Sequence, residues 1–96
     1  MLTRMYSIFD RKTLAYFPPY FAATDAAAVR IISDAAGDAN SMIGRHPNDY
    51  VLFYVGDFDD QKGSVNPVSP LVHVVDIIAC VPQPANVLPF DKKETA

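Results

Sequence analysis

The sequence predicts an α+β fold: a small, mostly antiparallel sheet in the order β-β-α-β-β-β, with one main amphipathic helix packed on one face. Three observations carry this prediction. Residues 50–58 (YVLFYVGDF) are apolar on both faces, the pattern of a strand in the middle of a sheet with cover on both sides. Residues 25–36 place Ala28, Ile31, Ile32 and Ala35 at the i, i+3, i+4, i+7 spacing of a buried helical stripe. The other apolar segments are short, β-rich and bounded by proline, glycine and aspartate. Helix and strands therefore segregate into layers.

In chain order, residues 4–9 read as a strand, residues 10–13 as a polar turn and residues 14–17 as the returning strand of a hairpin. Pro18 and Pro19 lack the ladder donor, so this strand lies at an edge, bends or stops pairing there. Residues 20–22 either resume extended structure or lead into the helix. Thr24 is a helix N-cap, Asp25 favours the helix dipole and Gly37 is placed as the C-cap. The outer helical face carries Arg30, Ser33 and Asp34. Residues 41–44 allow one further turn, His46 is placed to end it, and Pro47 blocks continuation. The central strand then runs to an acidic turn, residues 59–63, where Gly63 is free to take positive φ. Residues 64–66 return as a short strand, Pro67 and Pro70 interrupt it, and residues 71–80 form the last strand. Residues 1–81 are thus a single α+β domain. Residues 82–96, with Pro82, Pro84, Pro89 and a charged end, read as an extended or disordered tail.

The chain has 96 residues, half of them hydrophobic, which suits one domain with a modest core. The single cysteine, Cys80, excludes an internal disulfide and fits a reducing compartment. No apolar run approaches the roughly 20 residues of a membrane span, and none follows Arg4 as in a signal peptide. A soluble, cytosolic protein is expected. The net charge of −3 argues against coating nucleic acid by charge alone. Up to Asn48 there are five basic and four acidic residues; beyond it there are three basic and seven acidic. A basic face requires the fold to gather the N-terminal arginines.

No spacing supports catalysis, a metal or a cofactor. Counting from Asp57, the sixth position is Lys62 and the twelfth Val68, where an EF-hand loop requires glycine and glutamate. Asp57, Asp59 and Asp60 therefore read as a solvated hairpin turn. His46 and His73 have no zinc-ligand spacing, and no phosphate loop or nucleophile elbow is present. Cys80 reads as a small apolar packing residue. The aromatic residues carry more information. Tyr6, Phe9, Tyr16, Phe17, Tyr20 and Phe21 crowd the first hairpin, with Arg4, Arg11 and Lys12 among them. Rings with interleaved cations suit single-stranded nucleic acid, because bases stack and phosphates attract cations; rings also fill cores and dimer interfaces. Alternation puts Tyr6 and Ile8 on one face and Met5, Ser7 and Phe9 on the other. One face packs on the helix. The other meets a second subunit, a nucleic-acid strand or the C-terminal segment.

Three segments resemble one family: Met5-Tyr6-Ser7-Ile8-Phe9-Asp10, then Ser41-Met42-Ile43-Gly44-Arg45-His46-Pro47-Asn48-Asp49-Tyr50, then Leu52-Phe53-Tyr54-Val55-Gly56-Asp57-Phe58-Asp59 closing at Lys62-Gly63. Together they resemble the small nonstructural protein of gokushoviruses, tailless Microviridae phages with single-stranded circular DNA genomes. The resemblance covers roughly residues 5–65. It implies a protein made during infection in the host cytoplasm, absent from the capsid, that binds DNA and acts around single-stranded DNA synthesis or packaging. It carries no catalytic residues.

The expectation that follows is a homodimer binding DNA, preferring single strands. Tyr6, Tyr16 and Tyr20 stack bases; Arg4, Arg11, Lys12, Arg30 and Arg45 hold phosphates. The alternative is an interaction module that binds a phage or host replication protein without touching DNA, with Asp57, Asp59 and Asp60 facing a basic partner.

Overall fold

The computed structural model describes residues 1–81; the tail expected over residues 82–96 lies outside the described residues. Strand β1 (Leu2–Asp10) is followed by β2 (Ala15–Tyr16), β3 (Tyr20–Ala22), helix α1 (Asp25–Ala36), a short helix α2 (Met42–Arg45) and a 3-10 turn (Pro47–Asp49). The long strands β4 (Tyr50–Asp59) and β5 (Ser64–Asp76) come next, then a second 3-10 turn (Ile77–Cys80). The five strands form one antiparallel sheet in the order β2-β1-β4-β5, with β3 also on β1. The α+β fold class is therefore as the sequence indicates, and β4 lies between two neighbours.

The strands divide differently around the helix: three precede it and two follow. On one edge, Pro18 and Pro19 interrupt pairing without ending it. Phe17 N–H still donates to Ile8 O at 2.8 Å, and β3 resumes against residues 4–6 of β1. On the other edge, β5 runs through both prolines as one strand. An edge strand tolerates proline because its outward N–H needs no partner. The register jumps from Tyr54–Val72 to Gly56–Pro67, so residues 68–71 bulge opposite Val55. Gly56 is required at that crossing, since a Cβ there would lie 2.7 Å from Asn66 O. Gly63 closes the β4–β5 turn at φ 66°. The 3-10 turn after Asp76 replaces the expected end of the last strand.

Helix α1 is capped as its sequence requires: Ala27 N–H donates to Thr24 Oγ1 at 3.1 Å and Gly37 N–H to Ser33 O at 2.9 Å. Its buried stripe is Ala28, Ile32 and Ala36, with Ala27 and Ala35 partly buried. Ile31, expected in the stripe, is 50% exposed, because the helix is rotated to bring Ala36 inward instead. The stripe packs on Tyr6 and Ile8 of β1 and Tyr50 and Leu52 of β4; Ile43 of α2 and Ile77 complete the core. Register explains the choice of residues, since Ile8 faces Leu52 and Tyr6 faces Tyr54 across the ladder. Cys80 and Val81 also pack against this cluster, so the described C-terminal residues cover the helix side of the sheet, not its opposite face.

Leu52 is fully buried at the centre of this layer. Leu52→Ala is expected to lower unfolding free energy by about 3 kcal/mol, while Ile31→Ala lowers it by less than about 1 kcal/mol. Urea denaturation of the two variants checks this order.

Candidate nucleic-acid interface

Side chains alternate along a strand, so the residues between those buried under α1 build the opposite face. On β1 these are Thr3, Met5, Ser7 and Phe9; on β4, Val51, Phe53 and Phe58. The ladder pairs Phe9 with Tyr16 of β2 and Phe53 with His73 of β5. A ring cluster results, spanning four strands. Centroid separations are 4.8 Å for Phe9–Tyr16, 6.4 Å for Phe9–Phe53, 6.0 Å for Tyr16–Phe53 and 6.0 Å for Phe53–His73. Phe21 of β3 meets Phe58 at 6.1 Å and forms a second group on the same face. Tyr16 is 48% exposed and Phe21 50% exposed. No enclosed cavity lies among the described residues, so the candidate interface is an open face.

The cluster is bordered by the turn between β1 and β2. Asp10 organises it: Oδ1 accepts from Lys12 N–H at 2.9 Å, and the Asp10 carbonyl accepts from Leu14 N–H at 2.8 Å. Leu14 takes φ 60°, an uncommon value for a branched residue, which lets the chain reverse. Arg11 and Lys12 are exposed on this turn. Arg11 is steered by its backbone N–H on Asp49 O (2.8 Å) and by Nη1 donating to Asn48 O (2.7 Å). Its Nη2 lies 3.4 Å from Asp76 Oδ1, which His73 Nε2 also approaches at 2.8 Å. The Asp76 carboxyl is held below its ordinary range, chiefly by the His73 hydrogen bond, with the charges of His73 and Arg11 adding to it.

Of the eight residues expected to contact nucleic acid, the structure brings Arg11, Lys12 and Tyr16 together at one corner of this face. The other five lie elsewhere. Tyr6 is fully buried under α1 and offers no ring face to a base; its hydroxyl donates to Asp25 Oδ1 at 2.6 Å. Tyr20 is on the same helix side, its ring 6.1 Å from Tyr6 and its hydroxyl donating to Ala28 O at 2.8 Å. Arg4 stacks over Tyr54 at 3.9 Å and sits 3.4 Å from Asp25 Oδ1, tying β1 and β4 to the first turn of α1. Arg30 is exposed on α1, and Arg45 of α2 donates from Nη1 to Asn40 O at 2.9 Å. These cations are scattered because the sheet separates them. Sequence reasoning missed Phe53, Phe58, Phe9, Phe21 and His73 as site residues. The signal for Phe9 was present, since alternation already put it opposite Tyr6.

The acidic turn is held internally. Asp59 Oδ1 accepts from Gln61 N–H at 3.0 Å and Lys62 N–H at 3.3 Å; Asp60 pairs with the N-terminal amine at 2.9 Å. Asp57 accepts from Tyr54 hydroxyl at 2.7 Å. Among the described residues no group of histidine, cysteine or acidic side chains is placed to hold a metal ion, and no helix is long and apolar enough to cross a membrane.

The profile of the phage ORF5 protein family matches residues 3–80, which span both faces of the sheet and every element from β1 to the last 3-10 turn. The chain belongs to the phage ORF5 family. It is 37% identical to protein ORF5 of Chlamydia phage 1 over 70 residues, covering 66% of this chain and 70% of that protein. This bears out the resemblance to small gokushovirus proteins of the Microviridae. No solved structure matches the chain.

Within this ORF5-family protein, four tyrosines titrate above their ordinary range. Burial is the main cause for Tyr6, Tyr50 and Tyr20, the last pushed up to about 12; for Tyr54 it is the hydrogen bond to Asp57. A raised phenol pKa means the fold binds the proton more tightly than the unfolded chain does. That stabilisation is fully present below the ordinary value of 10.0 and is lost as pH rises through the folded-state values. Urea midpoints are therefore expected to hold up to about pH 9 and to fall as pH rises above about 10, and to fall less in Tyr6→Phe.

Proposed function

We propose that this phage protein is a non-enzymatic binder of single-stranded DNA, engaging the strand on the sheet face opposite α1 during genome replication or packaging in the host cytoplasm. One observation supports this reading above the others: the Phe9, Tyr16, Phe53 and His73 rings form a continuous cluster, exposed at Tyr16 and His73 and half-buried at Phe9 and Phe53, and Arg11 and Lys12 stand beside it. Every base has a π-face, so stacking accepts any sequence and contributes about 1–3 kcal/mol per base. Two exposed cations at the turn supply phosphate contacts, Arg11 while it is also held by Asn48 O and Asp76. With a net charge of −3, stacking carries more of the affinity than charge does.

This division sets the salt dependence. Two phosphate contacts on a single strand correspond to a log–log slope of about −1.4, much shallower than five clustered cations would produce. A second reading, in which a second copy of the chain or a phage or host replication protein docks on this face without DNA, is favoured by exposed Phe21 and Val65, which lie along the ladder from Arg11 and Lys12 with no cation among them.

Fluorescence anisotropy with labelled oligothymidine at low salt tests the reading. Tyr16→Ala is expected to weaken binding about fivefold to a hundredfold, and Arg11→Ala to reduce the salt slope by about 0.7. Arg30→Ala and Arg45→Ala leave both unchanged. No binding at low salt, together with a concentration-dependent dimer in sedimentation, favours the protein-docking reading instead.

A further inference from the structure

We infer that His73 is a further nucleic-acid contact: in its protonated form it supplies a phosphate-binding N–H at the β5 end of the aromatic face, so affinity for single strands rises as pH falls. This rests on the single-stranded DNA reading and adds to it the residue that makes the site pH-responsive.

The geometry carries the inference. The register places His73 beside Phe53, with the two rings edge to face at 6.0 Å and 85°. The imidazole side chain is 55% exposed, so a strand lying on Tyr16 and Phe53 meets it at the rim. Nε2 is fixed by Asp76 Oδ1 at 2.8 Å. Nδ1 has no hydrogen-bond partner among the described residues. A neutral imidazole has one N–H; the imidazolium has two. With Nε2–H directed to Asp76, protonation creates the second donor at the free Nδ1.

The charges around it give the direction of the effect. Among the described residues, Asp76 from β5 itself pairs with His73, and Arg11 from the β1–β2 turn reaches the same Asp76 oxygen with Nη2 at 3.4 Å. With a neutral imidazole, Asp76 and Arg11 cancel. Protonation adds one positive charge to this corner beside the stacking rings. Histidine is the side chain whose charge changes in the range between about pH 5 and 8. His46, by contrast, ends α2 on the helical side and does not touch the ring cluster.

The test is anisotropy with labelled oligothymidine over a salt series at about pH 8 and about pH 5.5, a base chosen because thymine does not titrate there. Wild type is expected to bind about fivefold tighter at the lower pH, with the log–log salt slope steeper by about 0.7, the increment of one added phosphate contact. His73→Gln binds at both pH values as wild type does at the higher one. His73→Lys binds at both as wild type does at the lower one, and His46→Gln keeps the wild-type response. Thermal melts confirm that the variants fold. Binding that is detectable but equally pH-dependent in wild type and His73→Gln, or pH-independent in both, overturns this inference alone. No binding by any folded variant at either pH overturns the DNA reading as well.

Discussion

A five-stranded sheet has two faces, and one twelve-residue helix covers one of them. Alternation along β1 and β4 decides what goes where. Tyr6, Ile8, Tyr50 and Leu52 turn toward α1, so Phe9, Val51, Phe53 and Phe58 turn away from it. The helix is held on its side by more than apolar contact. Asp25, in its first turn, accepts from Tyr6 hydroxyl and faces the Arg4 guanidinium, which in turn lies on Tyr54. Slipping β1 by one residue would reverse both faces at once, placing the Tyr6–Asp25 contact in solvent and Phe9 under the helix.

This anchoring explains why the cations divide. Arg4 is drawn inward because a guanidinium stacked on tyrosines and facing a carboxylate keeps its charge paired while the side chain is half-buried. Arg30 and Arg45 belong to helices that lie on the covered side. The open face retains aromatic surface with Arg11 and Lys12 at one corner. Under the proposed DNA-binding reading, ring contact outweighs charge, which is compatible with a chain whose net charge is negative.

Much of the fold was legible in the residues. Thr24, Asp25 and Gly37 bounded α1 correctly because capping chemistry is local. The two-sided apolar run marked β4, and Gly63 marked its turn. What was not legible depended on partners distant in the chain. Pro67 and Pro70 read as interruptions, yet β5 occupies an edge, where missing donors face outward. Ile31 fitted the helical stripe by spacing, but helix rotation against the sheet selects Ala36. Tyr6 and Phe9 were assigned to opposite faces by alternation; which face the helix would cover was not encoded in either strand alone. His73 and Phe53, 20 residues apart in sequence, become neighbours only through the β4–β5 register.

The most direct test is ultraviolet cross-linking of the protein to oligothymidine, with adducts mapped by mass spectrometry. Binding on the open face predicts adducts at Tyr16, Phe53 and Phe21, with α1 unmodified. Adducts concentrated on α1 or α2, with the sheet rings untouched, would contradict it.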